Sequence, residues 1–440
     1  MRAYILFSAL MVYFQTESVM ICDVCDCEHK NEPPTVGVVV NCSFHERVLE
    51  VDPILPDASI TLDLSRSNLT NIQQTRTFQS KTLVELLLNR NFLKEINLEL
   101  FQLPELKILD LSENEIQQLN PNSFKGFTKL EYLNLANNKF TAMSQLNFNS
   151  LVNLREIILD NNNLGDDIET RSLFDAQGYG LPLNIQSVSI SGVNLNNLNL
   201  EYFKPVDKTL RKLIISNNNL NIIVSLPQSL EYLDYSNNPI KKIRLGDIPL
   251  LESLVYLKEL KLNNLDIEEV PKNVFSTLML TNLELKYNKN LKEFSNLTFG
   301  RQLLSDTYDF YLENLTLKGS NLSTLDKGLS VLFVKVKRLD LQQNPWVCDC
   351  RLAWLRKLPI VPDLIDDLRC RSPPYLYNKR IFDLNEKDFV CLKSWWNESH
   401  VGVTIGLVFY TLLVFITFTW IYIFIYRPAP KVNRQEYSQL

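Results

Sequence analysis

Glycine is scarce, with only 12 residues in a chain of 440. No glycine-rich phosphate loop is present, which excludes the nucleotide-binding turns built on such loops. Histidine is scarcer still: His29, His45 and His400 stand far apart in sequence. Asp and Glu are scattered among repeat positions, so no catalytic constellation, cofactor site or metal site is expected, and the chain reads as a non-enzyme. A basic excess is also missing, because 45 Lys and Arg face 50 Asp and Glu, for a net charge of -5. Without a patch able to hold a phosphate backbone, nucleic acid is not an expected partner. Long apolar runs are rare as well, and only one of them can cross a bilayer.

That run is residues 401–426, which carry no charge. A hydrocarbon core needs ~20 apolar residues, and aromatic rings settle at its edges, here Trp395 and Trp396 before the run and Trp420, Tyr422 and Tyr426 near its end. Arg427, Lys431 and Arg434 follow it and hold residues 427–440 on the cytoplasmic side. At the other end Arg2, the apolar stretch Ala3 to Phe14 and the small residues Thr16 and Ser18 have the layout of a secretory signal over residues 1–18. A single-pass type I protein of the plasma membrane is expected, with its N-terminus outside and residues 393–400 as the juxtamembrane link.

Cysteine usage agrees. Eight cysteines form two sets of four, Cys22, Cys25, Cys27 and Cys42, then Cys348, Cys350, Cys370 and Cys391. An even count grouped at both ends of an exported region reads as disulfides. The Cys22-x-x-Cys25 spacing alone would also fit zinc or redox chemistry, but no second set of His or Cys completes a metal site. The caps are placed at 19–58 and 345–392, and each set of four leaves three connectivities open.

Between the caps, over residues 59–344, L-x-x-L-x-L-x-x-N-x-L recurs about every 24 residues, most regularly as Leu106, Leu109, Leu111, Asn114, Ile116. The asparagine position falls at Ser67, Asn91, Asn114, Asn138, Asn162, Val193, Asn218, Asn238, Leu265, Asn288, Ser320 and Asn344, giving about twelve repeats. A fixed period of this size marks a stacked array. The L-x-L core alternates with period two, so each repeat offers a short strand with leucines inward, and a repeat buries them only against its neighbours. The asparagine amide is expected to satisfy backbone groups at the bend. Phe78, Phe101, Phe124, Phe148, Phe203, Phe275 and Phe299 recur before the next repeat and are read as core rings on the convex side. Longer intervals, across Gly165 to Asn184 and between Asn288 and Ser320, are read as rim loops.

Outward strand residues form columns on the concave face. In the central one Leu87, Ile158 and Ile214 interrupt a polar series and are the candidate partner-binding residues. Sequons mark Asn68, Asn296, Asn314, Asn321 and Asn397 for N-glycosylation, and Asn41 with Cys42 inside its sequon. Asn296, Asn314 and Asn321 read as one cluster that shields the tenth and eleventh repeats, leaving binding to the earlier ones. In the tail, Tyr437-x-x-Leu440 resembles a sorting signal for a cytoplasmic adaptor, and Ser438-x-Leu440 a ligand for a PDZ domain. Gly402 and Gly406 form a G-x-x-x-G in the apolar run.

With repeats and caps laid out, residues Cys22 to Cys391 resemble the extracellular leucine-rich-repeat membrane proteins, the family of Toll-like, Slit-like and related adhesion-receptor ectodomains. The most specific motif is Asn344-Pro345-Trp346-Val347-Cys348-Asp349-Cys350, followed by Cys370 and Cys391. The resemblance implies a curved α/β solenoid with parallel strands on its concave face, disulfide caps and one transmembrane helix. It also implies that the first cysteine of each set pairs with the third and the second with the fourth: Cys22 with Cys27, Cys25 with Cys42, Cys348 with Cys370, Cys350 with Cys391. Residues 427–440 are too few for the signalling domain of Toll-like receptors, so signalling is expected to need a partner. The function expected is a cell-surface receptor for adhesion or recognition that binds an extracellular protein, a like molecule on a neighbouring cell included. The alternative is an accessory subunit associating laterally with a membrane receptor or channel.

Overall fold

The computed structural model describes residues 19–31, 36–46, 48–72, 76–174, 180–301, 308–391 and 401–427. The signal region 1–18, residues 393–400 with Asn397, and the tail residues Tyr437, Ser438 and Leu440 lie outside them. Two cap strands, β1 (Asp26–Lys30) and β2 (Gly37–Asn41), pair antiparallel. Repeat strands follow in parallel: β3 (Ser59–Asp63), β4 (Glu85–Leu87), β5 (Ile108–Asp110), β6 (Tyr132–Asn134), β7 (Glu156–Ile158) and β8 (Ser187–Ser189). The series continues with β9 (Lys212–Ile214), β10 (Tyr232–Asp234), β11 (Glu259–Lys261), β13 (Asn282–Glu284), β15 (Asn314–Thr316) and β16 (Arg338–Asp340). All join one 14-stranded sheet among the described residues, in which β2 pairs with β3 and so covers the edge a bare solenoid would expose. On the opposite side β12 (Glu269–Val270) pairs with β14 (Glu293–Phe294). Three short helices, α1 (Gly165–Thr170), α2 (Ile248–Glu252) and α3 (Ser330–Phe333), and several 3-10 turns complete that side.

The period-two pattern decides the packing. The inward residue of each repeat strand, from Leu62 through Leu109, Leu133 and Leu213 to Leu339, is at most 2% exposed. Every one of these side chains is shared between adjacent turns, so the core is continuous and each contributes about 1.5–3 kcal/mol of burial. The seven phenylalanines of the column are buried too, with Phe78 stacked on Phe101 at 4.2 Å and Phe275 5.9 Å from Phe299.

The asparagines bridge turns by a repeated geometry. Asn138 Nδ2 donates to Leu111 O (2.9 Å) of the previous turn and to Leu135 O (3.1 Å) of its own, while its Oδ1 accepts from Ile116 N (3.0 Å). Each such carbonyl is therefore served twice, as Leu135 O is by Asn138 and Asn162. Where Val193 replaces the asparagine, Leu159 O keeps only Asn162 and Ile190 O only Asn218. Where Leu265 does so, Tyr235 O keeps Asn238 and Leu262 O keeps Asn288. Redundancy explains why two turns tolerate an apolar residue there.

The insertion at Gly165 to Asn184 corrects one expectation. It is not a rim loop: α1 lies in it, and Ile168, Leu173, Phe174 and Leu181 are buried. Gly165 starts α1 so close to the next turn that a Cβ there would collide with the Asn194 carbonyl. In the shortened turn between Asn218 and Asn238, Tyr235 takes an inward position held elsewhere mostly by leucine. Its ring fills the space, and its hydroxyl donates to Ile222 O (2.9 Å).

Both ends are closed by disulfides, Cys22–Cys27 and Cys25–Cys42 before the repeats and Cys348–Cys370 and Cys350–Cys391 after them. The second cap is built on β17 (Trp346–Val347) and β18 (Cys370–Ser372). Trp346 is fully buried, and its indole N–H donates to Leu341 O (3.0 Å), anchoring the cap to the last repeat. Beyond it, helix α4 (Val401–Tyr426) is long and apolar enough to cross a membrane, and no part of its Gly406–Tyr426 segment is buried.

Candidate functional site

Two outward columns run across the sheet, because the residues before and after each inward leucine share the opposite face. Strand register places Ile158 opposite Ser189, and Ser189 opposite Ile214. The two isoleucines thus lie two strand spacings apart, roughly 10 Å, on one rigid surface. Leu87 does not join them: Asp110 and Asn134 stand between it and Ile158. All three side chains are half-buried. The structure therefore groups two of the candidate residues and isolates the third, because neighbours in an outward column are set by strand order rather than by likeness.

The other column supplies residues that reading the central one alone passes over. Its sequence from β6 to β10 is Tyr132, Glu156, Ser187, Lys212, Tyr232 in successive register. Lys212 Nζ reaches across Ser187 to Glu156 Oε1 (3.3 Å), and Ser187 Oγ donates to the same oxygen (3.0 Å). Lys212 and Lys261 stand 6.0 and 5.3 Å from the centre of the Tyr232 ring, within cation–π range. Burial first, then the Asp110 and Glu156 charges, push the Tyr132 hydroxyl up to about 12, so this phenol stays neutral at physiological pH. Glu284 carries a lowered pKa: its burial is outweighed by hydrogen bonds from Lys286 and Asn263 and by both nearby lysines, so it stays ionised. Two tyrosines thus flank two isoleucines around a central ion pair. The signal was present in the sequence, one residue before each inward leucine.

Asp160 borders this patch. Ser189 Oγ (2.6 Å) and Ser191 N (2.7 Å) donate to its Oδ1, yet burial outweighs these bonds and raises its pKa. In regular turns the second outward residue accepts locally, as Asp110 does from Ser112 N (2.8 Å). Ser189 stands in that position here, and the carboxylate of the preceding turn takes over the role.

The three sequons of the tenth and eleventh repeats stand on neighbouring turns. Asn314 opens β15 on the concave face, Asn296 follows β14 on the convex side, and exposed Asn321 lies past the strand on the rim. The three share neighbouring turns but not a face. Exposed Asn68 donates to Glu46 from its amide, and Asn41, at the end of β2, accepts from Ser43 N (2.9 Å). Gly406 lies in α4 with open space around it.

Comparison with known proteins agrees with this architecture. The leucine rich repeat family model matches residues 81–140 and 104–164. Tsukushi of Gallus gallus is 29% identical over 263 residues, 58% of this chain and 67% of that protein. CD180 antigen of Mus musculus is 25% identical over 358 residues, 74% of this chain, so the chain spans about half (52%) of that relative's length. Among solved structures, a leucine-rich-repeat protein of Leptospira interrogans aligns with a TM-score of 0.53 at 25% identity, covering 69% of this chain and 73% of that one. Repeats, relatives and disulfides at both ends together fit a leucine-rich-repeat ectodomain protein.

Proposed function

For a leucine-rich-repeat ectodomain protein with such a patch, we propose that the chain is a cell-surface recognition or adhesion receptor that binds an extracellular protein on strands β6 to β10. The observation that carries this reading is the grouping of Tyr132, Ile158, Ile214 and Tyr232 around the Glu156–Lys212 pair. Aromatic and branched side chains on a preformed sheet anchor a partner with little ordering cost, and charges at their centre set orientation. The similarity to leucine-rich-repeat proteins supports a protein-interaction role in general. Helix α4 serves as the membrane anchor, with the solenoid outside the plasma membrane and the tail inside, where Tyr437, Ser438 and Leu440 would meet a sorting adaptor or PDZ domain.

Cells displaying the full chain are mixed with labelled cells that carry it and with labelled cells that do not. Adhesion only to carriers identifies a like molecule as the partner; adhesion to some non-carriers identifies a distinct protein ligand. Ile158→Asp with Ile214→Asp, at equal surface level, is expected to abolish either. Adhesion that survives both substitutions removes the proposed face, and adhesion to neither population favours a subunit that associates laterally through its repeats and α4.

A further inference from the structure

The concave face is not uniform beyond the patch, and the difference lies at one asparagine. Asn314 is the first residue of β15, in register with Asn282 on one side and Arg338 on the other. It lines a cleft of about 270 Å³ with Asn282, Glu284, Lys286, Thr316, Arg338 and Asp340. The cleft is open to solvent and lined by amide, carboxylate and cationic groups, the kinds of group that hydrogen-bond sugar hydroxyls. Asn314-Leu315-Thr316 is a sequon. Its amide nitrogen donates no hydrogen bond among the described residues, whereas Asn68 Nδ2 is engaged by Glu46. Between Asn68 and Asn296 the sequence contains no sequon at all.

We propose that Asn314 carries an N-linked oligosaccharide whose stem occupies this cleft, closing the concave face beyond β13 and leaving the strands before it as the open surface. The bond forms from Asn314 Nδ2 to the anomeric carbon of a lipid-linked oligosaccharide diphosphate as that carbon's bond to the diphosphate oxygen breaks. The amide gives up one proton, and the lipid diphosphate leaves. A chain in the repeats' concave row, unlike one on the rim, stands in the path of any partner seated there. The proposal rests on the recognition reading only for the use made of the open strands.

The full chain is purified in detergent from a glycosylating animal cell and treated with a glycan-releasing amidase, native and after denaturation, with peptide mass mapping of each site. Expected is an occupied Asn314 whose release from native protein is at least about tenfold slower than that of Asn321 (the contrast in burial being the cause), the two becoming equal on denaturation. An unmodified Asn314 beside modified Asn68 and Asn321, or release as fast as at Asn321, overturns the proposal. Absence of glycan at all three overturns it together with the exported placement. A second readout uses Asn314→Gln: Lys286 should react several-fold faster with an amine-selective acylating reagent, while Lys212 and Lys261 keep their rates. An unchanged Lys286 rate removes the shielding. No partner enters either measurement, so failure of the recognition reading is seen separately in cell mixing.

Discussion

Turns around Asn114 and Asn138 and the turn at Val193 solve the same problem with different numbers of bonds. In the regular stretch each inner carbonyl, such as Leu111 O, accepts from the asparagine of its own turn and from that of the next. At the Val193 turn the carbonyls on either side, Leu159 O and Ile190 O, each keep one donor. The ladder therefore holds a spare bond in most turns and none beside an interruption. An asparagine's importance is set by what its neighbours lack.

The largest expected effect is at Asn218, which alone serves Ile190 O and accepts from both Val193 N (3.1 Å) and Leu195 N (3.0 Å). Asn218→Ala leaves three buried groups unpaired and should cost about 4 kcal/mol in urea unfolding, at 1–3 per unsatisfied group with partial relaxation. Next comes Asn162→Ala, which orphans Leu159 O and Phe140 N and should cost about 3 kcal/mol. Asn138→Ala orphans Ile116 N but no carbonyl, so about 2 kcal/mol is expected. Equal losses at 138 and 162 would break the comparison. A sharper version places asparagine in the gap: in a Val193→Asn background, the excess cost of Asn162→Ala over Asn138→Ala, about 1 kcal/mol, should vanish.

The smallest effect concerns the carboxylate that crosses into the interrupted turn. Burial raises the Asp160 pKa, so the folded state binds this proton where the unfolded chain has already released it. Stability from this group is present at low pH and is lost as pH rises through the folded pKa. Asp160→Asn keeps an acceptor for Ser189 and Ser191 and removes that loss. Its stability relative to the parent should rise between mildly acidic and neutral pH and be unchanged below the ordinary carboxylate range near ~3.9, as read from urea midpoints across pH. A flat difference would mean the carboxylate is not strained by burial.

These contrasts mark the boundary between what is legible in one sequence and what is not. The L-x-L core, the asparagine period and the phenylalanine column are local patterns, and local geometry converts them directly: alternation faces Leu133 inward, and recurrence about every 24 residues stacks it on Leu109. The resemblance likewise carried the cysteine pairing. Which outward residues meet was not legible from the central column alone. Ile158 and Ile214 became neighbours of Tyr132 and Tyr232 only through strand register, and Leu87, alike in chemistry, fell outside. The insertion after Asn162 looked like a loop because its length broke the period, yet Ile168 and Phe174 turn into the core.

The sequence by itself determined the solenoid, its capped ends and an apolar helix long enough for a bilayer, because hydrophobic periodicity and chain length act on each residue and its near neighbours. Only the tertiary structure decided which side chains share a face, which carbonyls have a second donor, and that Asn314 lies in a strand of the large sheet while Asn296 follows a strand of the small one. Those are properties of stacking, in which residues one turn apart are brought to about 5 Å while residues a few positions apart can lie on opposite surfaces.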